Sequence, residues 1–518
     1  MTGLERTYPD EDLPEGSVVD GALAAAPLVD AADFVVVGTG AAGASAARVL
    51  AGAGHSVLLV EEGPYIKTRA FGEDVRSAFK HMMRDAGTQA MEGRSFVPMI
   101  QGRVVGGSTL INAAIAWRTP EDVLDDWSER FGLGSAVRAA DLEPHFDALE
   151  EELSVRSVAD DVLGENNRSF LEAAKRRGFE AAPMRRYDAG CRGTARCLTG
   201  CPHGAKQGMN VTYVPWVLRH GGRLYASCKV ARVEISGGRA VGVSGKTASG
   251  KRFDLRARRG VLVAASTVQT PNILRRSGIR ARALGKHFQA HPGIAMTAVF
   301  DRPIRMEFGA MQGAESIHYR KTERFKIETI TMPPELLAAR VPGAGVDLVR
   351  RLAQYPNIAV WAVQIRARSE GEVVSAWGGG DKVKYTILPD DVRIARRALS
   401  FLSKLMFEHG AKETWPGVFG LPHAMTSADQ VKLIDDAPLD PRAYGFIATH
   451  LFGAARMGPD PRSSVVGLDF ATHEARDLWV VDSSIFPTNL GVNPQHSIMA
   501  IARLAASRIA DAAKARAA

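Results

Sequence analysis

The order of sequence patterns predicts an α/β protein of two domains, one on a parallel sheet assembled from discontinuous segments and one of α+β type on an antiparallel sheet. Three observations carry this. Residues 34–61 read as an apolar strand, a glycine-rich turn, an Ala-rich helix and a second strand ending in an acid. Beyond about residue 300 strands of alternating apolar and polar residues replace that texture. From about 445 the glycine-rich texture returns and runs to a final helix at 494–516, so the chain leaves one domain and comes back to it.

Residues 1 to about 30 read as a polar extension. Phe34-Val-Val-Val-Gly-Thr-Gly-Ala-Ala-Gly43, closed by Val57-Leu-Leu-Val-Glu61, then forms a complete Rossmann-like dinucleotide fingerprint. Gly38 permits the tight turn, Gly40 lets the backbone approach a pyrophosphate, and Gly43 lets the helix pack closely on the sheet. The helix N-terminus, with Ala41 and Ala42, faces the phosphates. Glu61 falls where a ribose hydroxyl needs an acceptor. Glycines alone also mark ordinary turns, and it is the flanking strand, helix and acid that make this a dinucleotide site. These residues do not decide between NAD and FAD.

A second glycine block, Gly102-Arg-Val-Val-Gly-Gly-Ser-Thr-Leu-Ile-Asn112, offers backbone N–H groups along which an extended cofactor can lie. Arg103, Gly107, Ser108 and Asn112 are its cofactor-binding candidates; the plain alternative is a turn. Residues 130–190 read as a charged helical insertion, with 141–153 at helical spacing. Short strands follow at 230–235, 241–243 and 261–265, the first opening on Val230, a further cofactor-binding candidate. Residues 266–279 open a helix with Thr270 as N-cap and Pro271 at the first helical position. Strands near 325–332, 358–365 and 382–387 supply the antiparallel sheet, and 389–407 an amphipathic helix. The expected division is 31–130, 211–300 and 441–518 for the nucleotide domain, and 131–210 and 301–440 for the substrate domain.

With 518 residues, 46% of them hydrophobic, the chain fills more than one core and is not disordered in bulk. The net charge of +8 is scattered and interleaved with acids, which argues for solubility and against nucleic-acid binding. No export signal is read at the Asp-, Glu- and Pro-rich start, and the apolar region at 34–60 is broken by Arg48, His55 and glycines, so no membrane span is expected. The expectation is a soluble cytoplasmic protein. Cys191, Cys197 and Cys201 stand near His203, but only 197 and 201 have zinc-like spacing; thiols, a disulfide and a metal site all stay open, with no metal expected. Cys228 reads as core.

Together with Thr449-His-Leu-Phe-Gly-Ala-Ala-Arg-Met-Gly458, Leu478-Trp-Val-Val-Asp-Ser-Ser-Ile-Phe-Pro487 and Gly491-Val-Asn-Pro-Gln-His496, these blocks resemble the glucose-methanol-choline (GMC) family of FAD-dependent oxidoreductases. The resemblance spans residues 31–515, and it looks closest to the cholesterol oxidase and long-chain alcohol oxidase branch through Asn493-Pro494 and the Phe486-Pro487 turn. It implies FAD, oxidation of an alcohol by proton abstraction with hydride transfer to flavin N5, and reoxidation by oxygen or an electron carrier. Ile111 stands where choline-oxidase-like members carry the histidine that links to flavin, so noncovalent FAD is expected. Position 280 is Arg where the second signature usually ends in Gly.

By the same resemblance His450 is the base and Asn493 holds the substrate oxygen, while Asp482 binds the ribityl or pyrophosphate region. A lone histidine is more often structural; the matching block favours the catalytic reading. Asn493 followed by Pro494 is also an ordinary N-cap and first helical residue, and both roles can coexist, with the helix end facing the flavin. His496 either assists Asn493 or points into the protein. The segment 333–352 is either a lid over an apolar alcohol or a connector packed on the sheet. The rival functions are a hydroxynitrile-lyase-like protein without net redox chemistry and a sterol or sugar alcohol oxidase.

Overall fold

A computed structural model describes residues 8–72, 74–376 and 380–515. The first sheet has eight strands, and its parallel half is the order Val18–Asp20, Arg223–Ala226, Val57–Val60, Leu28–Val37, Arg252–Val263. Arg239–Thr247 and Cys228–Ser236 extend it antiparallel. The long strand Arg252–Val263 changes register at a bulge between Ala257 and Gly260, beyond which Val261–Val263 also pairs with Leu478–Val480, the segment that returns from the far end of the chain. A bulge locally breaks the ladder and bends the strand, which is how one strand serves successive neighbours along its length.

The unbroken apolar run from Phe34 to Val37 explains the core here: Phe34, Val35 and Val36 are fully buried, as a parallel strand covered on both faces requires. The Ala-rich helix Ala41–Gly52 packs between this sheet and the C-terminal helix Gln495–Ala515, its small side chains allowing close approach. Of the expected extension at 1–30, the described residues join the fold instead of trailing from it. Val18–Asp20 is the sheet edge, and buried Asp10 accepts hydrogen bonds from Thr68 N at 2.7 Å and Thr68 Oγ1 at 3.0 Å.

The second sheet is antiparallel with the order Ala411–Trp415, Gln289–Phe300, Ile358–Ile365, Phe325–Thr329, Ala314–Ser316, Ala182–Pro183, and Ile447–Phe452 also pairs with Gln289–Phe300. Helix Pro389–Glu408 covers one face. The strand expected near 382–387 does not belong to it: Asp381–Tyr385 forms a separate hairpin with Gly371–Ser375. Gln289–Phe300 itself links the two halves of the molecule, since its start pairs with the returning segment and its end lies in the antiparallel core.

The helical insertion is divided between the two cores. Leu142, Phe146 and Leu149 of helix Ala139–Glu152 belong to the core of the first sheet, against the C-terminal helix. Phe170, Ala173 and Ala174 of helix Glu165–Arg177 belong to the core of the second. A boundary drawn at residue 131 therefore misses where apolar faces are buried, which periodicity alone does not report. Among the described residues no helix is long and apolar enough to cross a membrane.

Candidate active site

A cavity of about 1150 Å³ runs from the glycine turn to the antiparallel sheet. At its first end the backbone dictates the residue types. Gly38 has φ +97°, and a Cβ there would lie 2.3 Å from Ala264 O. A Cβ on Gly43 would lie 1.9 Å from Gly38 O, so helix and strand touch directly at that point. Above Gly40 a Cβ would meet only Gly107 Cα, at 3.9 Å, which leaves open the approach to the start of helix Ala41–Gly52. Gly38, Gly40, Ala41 and Ala42 line the cavity. This open cradle at a helix N-terminus fits a pyrophosphate.

Glu61 also lines the cavity, at the end of strand Val57–Val60. Its carboxylate already accepts from Thr39 N at 3.1 Å, Thr39 Oγ1 at 2.7 Å and Gly63 N at 3.0 Å, and burial pushes its pKa up. Beside it Glu62 is held by Arg84 at 2.8 Å and Lys229 at 3.2 Å, and Val230 follows on the wall. From the second glycine block Gly107, Ser108 and Asn112 line the cavity, and Asn112 Nδ2 donates to Gln495 Oε1 of the C-terminal helix. The Arg103 side chain does not line it; Arg103 contributes backbone packed against Gly63.

Asp482 ties two segments at the cavity wall, 266–270 and its own turn at 482–484. It accepts from Ser266 N at 2.9 Å, Thr270 Oγ1 at 2.6 Å and Ser484 N at 2.8 Å, and burial raises its pKa. Thr270 is therefore not an N-cap: the helix is Gln269–Arg276, starting before Thr270, and the hydroxyl is spent on Asp482. At position 280 the backbone N–H donates to Glu474 Oε2 at 2.9 Å, an anchor that accommodates Arg there.

At the other end His450 projects from strand Ile447–Phe452. The register jumps from Ala290↔Leu451 to Pro292↔Ala448, so Thr449 and His450 together oppose the single residue His291. Such a bulge re-aims the side chains at it. Both histidines line the cavity, with their Nδ1 atoms 3.3 Å apart, and Gly491 N donates to His291 Nε2 at 2.8 Å. Burial lowers the His450 pKa to about 4, opposed by the negative charge of Glu328, so the imidazole is neutral at ordinary pH. Asn493 and Pro494 line the same wall and precede helix Gln495–Ala515.

His496, the third candidate, is turned away. Its ring is fully buried, with Nδ1 2.7 Å from Tyr187 Oη, Nε2 3.3 Å from Glu150 Oε1, and Phe146 against its face. It is not a wall of the cavity. Three side chains that sequence reasoning missed do line it: His291, Glu328 and Gln364. Their only signal was a polar residue at an alternate position of an apolar strand.

The lining also carries an apolar group, Ile294, Met332, Leu336, Val360, Trp415 and Phe446. Leu336, Leu337, Ala339, Arg340, Pro342 and Gly343 of the expected lid border the cavity, whereas its second half, helix Gly345–Leu352, lies outside with Val346 and Val349 exposed. The four cysteines are free thiols, and among the described residues no three His, Cys, Asp or Glu side chains gather as a metal site. Leu198 of the cysteine loop reaches the cavity, and buried Lys206 pins that loop by donating to Cys197 O at 2.7 Å, Asn112 O at 3.0 Å and Leu110 O.

The comparisons with known proteins agree with this architecture. The chain is 34% identical over 499 residues to an uncharacterised GMC-type oxidoreductase of Mycobacterium tuberculosis, covering 95% of this chain and 78% of the other. It is 25% identical over 522 residues to a long-chain-alcohol oxidase of Arabidopsis thaliana, covering 93% and 67%. Among solved structures, a formate oxidase variant from Aspergillus oryzae superposes with a TM-score of 0.74 at 17% identity, covering 94% of this chain and 99% of the other. The N-terminal and C-terminal GMC oxidoreductase descriptions match residues 32–293 and 380–502, the segments that build the glycine turn, Asp482, His450 and Asn493, and the chain belongs to the GMC oxidoreductase family.

Proposed function

We propose that this protein oxidises an apolar alcohol to the aldehyde or ketone with FAD held noncovalently. The observation that carries the reading is a single cavity joining the glycine cradle to a neutral histidine and an asparagine, with an apolar group in its lining. Bound FAD supplies the hydride acceptor, and oxygen or an electron carrier takes the electrons onward. Gly38, Gly40, Ala41, Ala42, Gly43, Glu61, Gly107, Ser108, Asn112, Val230, Asp482, Asn493 and Pro494 form or support its seat; Arg103 supports it only through its backbone. Ile111 is buried in the wall and carries no nucleophile, which supports noncovalent binding. FAD is the dinucleotide that family membership supports.

The chain's own groups handle the proton and the fit. Neutral His450 accepts the hydroxyl proton, and the nearby Glu328 carboxylate favours the imidazolium that results. Asn493 holds the substrate oxygen. The apolar lining residues bind the alkyl part and exclude water, consistent with a relative named for long-chain alcohols. We place the protein in the cytoplasm, in keeping with the scattered surface charge.

Anaerobic stopped-flow absorbance against aliphatic, aromatic, steroid and sugar alcohols tests this. The expected result is bleaching of the oxidised flavin by an apolar alcohol, with the recovery rate in air separating oxidase from dehydrogenase. A flavin that dithionite reduces and no alcohol does would sink the proposal and bring forward the hydroxynitrile-lyase reading.

A further inference from the structure

Behind the active-site wall, bonded to Glu328 and Asn493, lies a lysine that dinucleotide binding does not explain. Lys326, on strand Phe325–Thr329, is 0% exposed. Its Nζ lies 2.5 Å from Glu315 Oε2 and 2.7 Å from Glu328 Oε1, and it also donates to Asn493 Oδ1. Strand register places Glu315 directly opposite Glu328, a like-charge pair that would repel without a cation between them. The surrounding polar groups are also matched: Glu328 Oε2 accepts from Gln312 and Gln364, each at 2.8 Å, and Glu315 from Trp117 Nε1 at 2.7 Å. Three ammonium protons therefore meet three acceptors, which satisfies a charge that burial alone would make very costly.

An ammonium group only donates, so the Asn493 atom facing it is the carbonyl oxygen. With Oδ1 committed to Lys326, the other branch of the amide is Nδ2, a donor of two hydrogens. That amide belongs to a side chain that lines the cavity. We propose that Lys326 is a positioning residue that locks the Asn493 amide so that it offers N–H, and not C=O, to the substrate oxygen. The cation on Oδ1 also draws electron density from the amide and strengthens that donor as the alcohol oxygen loses its proton. Lys326 thus acts through Asn493 without touching the substrate. This rests on the alcohol-oxidation reading above.

The test is a double-mutant cycle on the FAD-loaded enzyme, reading anaerobic flavin reduction by an alcohol that the wild type oxidises. Lys326→Met and Asn493→Leu are each expected to slow reduction about ten- to a hundredfold. The double variant is expected to be no slower than Asn493→Leu alone. Losses that multiply would overturn the proposal, because a lysine acting through Asn493 has nothing left to lose once Asn493 is gone. Where Lys326→Met does not fold, Lys326→Met with Glu315→Gln removes the excess buried charge and enters the cycle in its place. A crystal structure of the lysine variant supplies a readout independent of turnover: Asn493 is expected to rotate, and an unmoved amide overturns the lock. If no alcohol reduces the wild type, the proposed function falls while the crystal structure still decides the lock.

Discussion

His291 and His450 meet edge to face across the bulge, with ring centroids 5.5 Å apart, an interplanar angle of 84° and Nδ1 atoms 3.3 Å apart. A charge on either ring opposes a charge on the other, and burial lowers both pKa values. His450, lowered to about 4, holds a neutral imidazole far below the pH at which an exposed histidine would have charged. The sign follows directly: only below about pH 4 does His450 carry the proton that stops it from accepting another. The acid limb of kcat/KM is expected near pH 4, and a limb near 6.5 would mean that burial does not hold this imidazole below its ordinary pKa. His450→Ala should keep FAD and slow flavin reduction by at least about a hundredfold, the scale of losing a general base.

Gly40 and Gly43 separate ligand binding from folding. Nothing in the protein stands closer than 3.9 Å to a Cβ on Gly40, whereas a Cβ on Gly43 meets Gly38 O at 1.9 Å. Gly40→Val should therefore give a folded, colourless protein with a normal far-ultraviolet circular dichroism spectrum. Gly43→Val should give little folded protein at all, because helix and strand must separate to admit it. A yellow Gly40→Val protein would show that no pyrophosphate approaches there.

The contrast shows what a linear sequence can disclose. The glycine turn was legible because its geometry is local: a few neighbouring residues fix the turn, and their types follow from positive φ and close contact. His450 was legible only through its resemblance to a family block, since the bulge that aims it depends on pairing with His291, far away in the chain. Lys326 and Glu328 were hidden for a different reason. Alternate charged residues in a strand read as a solvated face, yet both faces of Phe325–Thr329 are buried, and the Glu315 that completes the pairing sits on another strand. For His496 the sequence left two placements, beside Asn493 or turned into the protein, and the turn of the helix carries it behind the wall.

Lys206 is the anchor between the cysteine loop and the second glycine block. Burial lowers its pKa to about 8, and its ammonium serves three carbonyls, among them Leu110 and Asn112. Lys206→Met leaves those carbonyls buried without a donor, each at a cost of about 1–3 kcal/mol if water does not replace it. The expected outcome is a lower thermal midpoint and FAD that dissociates at least about tenfold faster, measured by flavin fluorescence on dilution. Unchanged flavin retention would detach the cysteine loop from cofactor binding.

His496 offers the sharpest separation of structure from chemistry. It bridges Tyr187 and Glu150, and Glu150 is in turn held by Arg118 at 2.8 Å and Arg185 at 2.6 Å, so the ring closes a polar network between the C-terminal helix and helix Ala139–Glu152. Removing a buried member of such a network typically costs a few kcal/mol, because its partners lose hydrogen bonds that water cannot readily restore. His496→Ala is therefore expected to destabilise the protein by about 2–4 kcal/mol in urea unfolding. Its flavin reduction rate should stay within about twofold of wild type, since the ring is not a wall of the cavity. Asn493→Leu, three positions earlier, should slow reduction strongly and lower stability as well, because it leaves the buried Lys326 ammonium short of one acceptor. A folded His496→Ala protein that reduces flavin about a hundredfold more slowly would put His496 in contact with the reacting groups and contradict the placement of the ring.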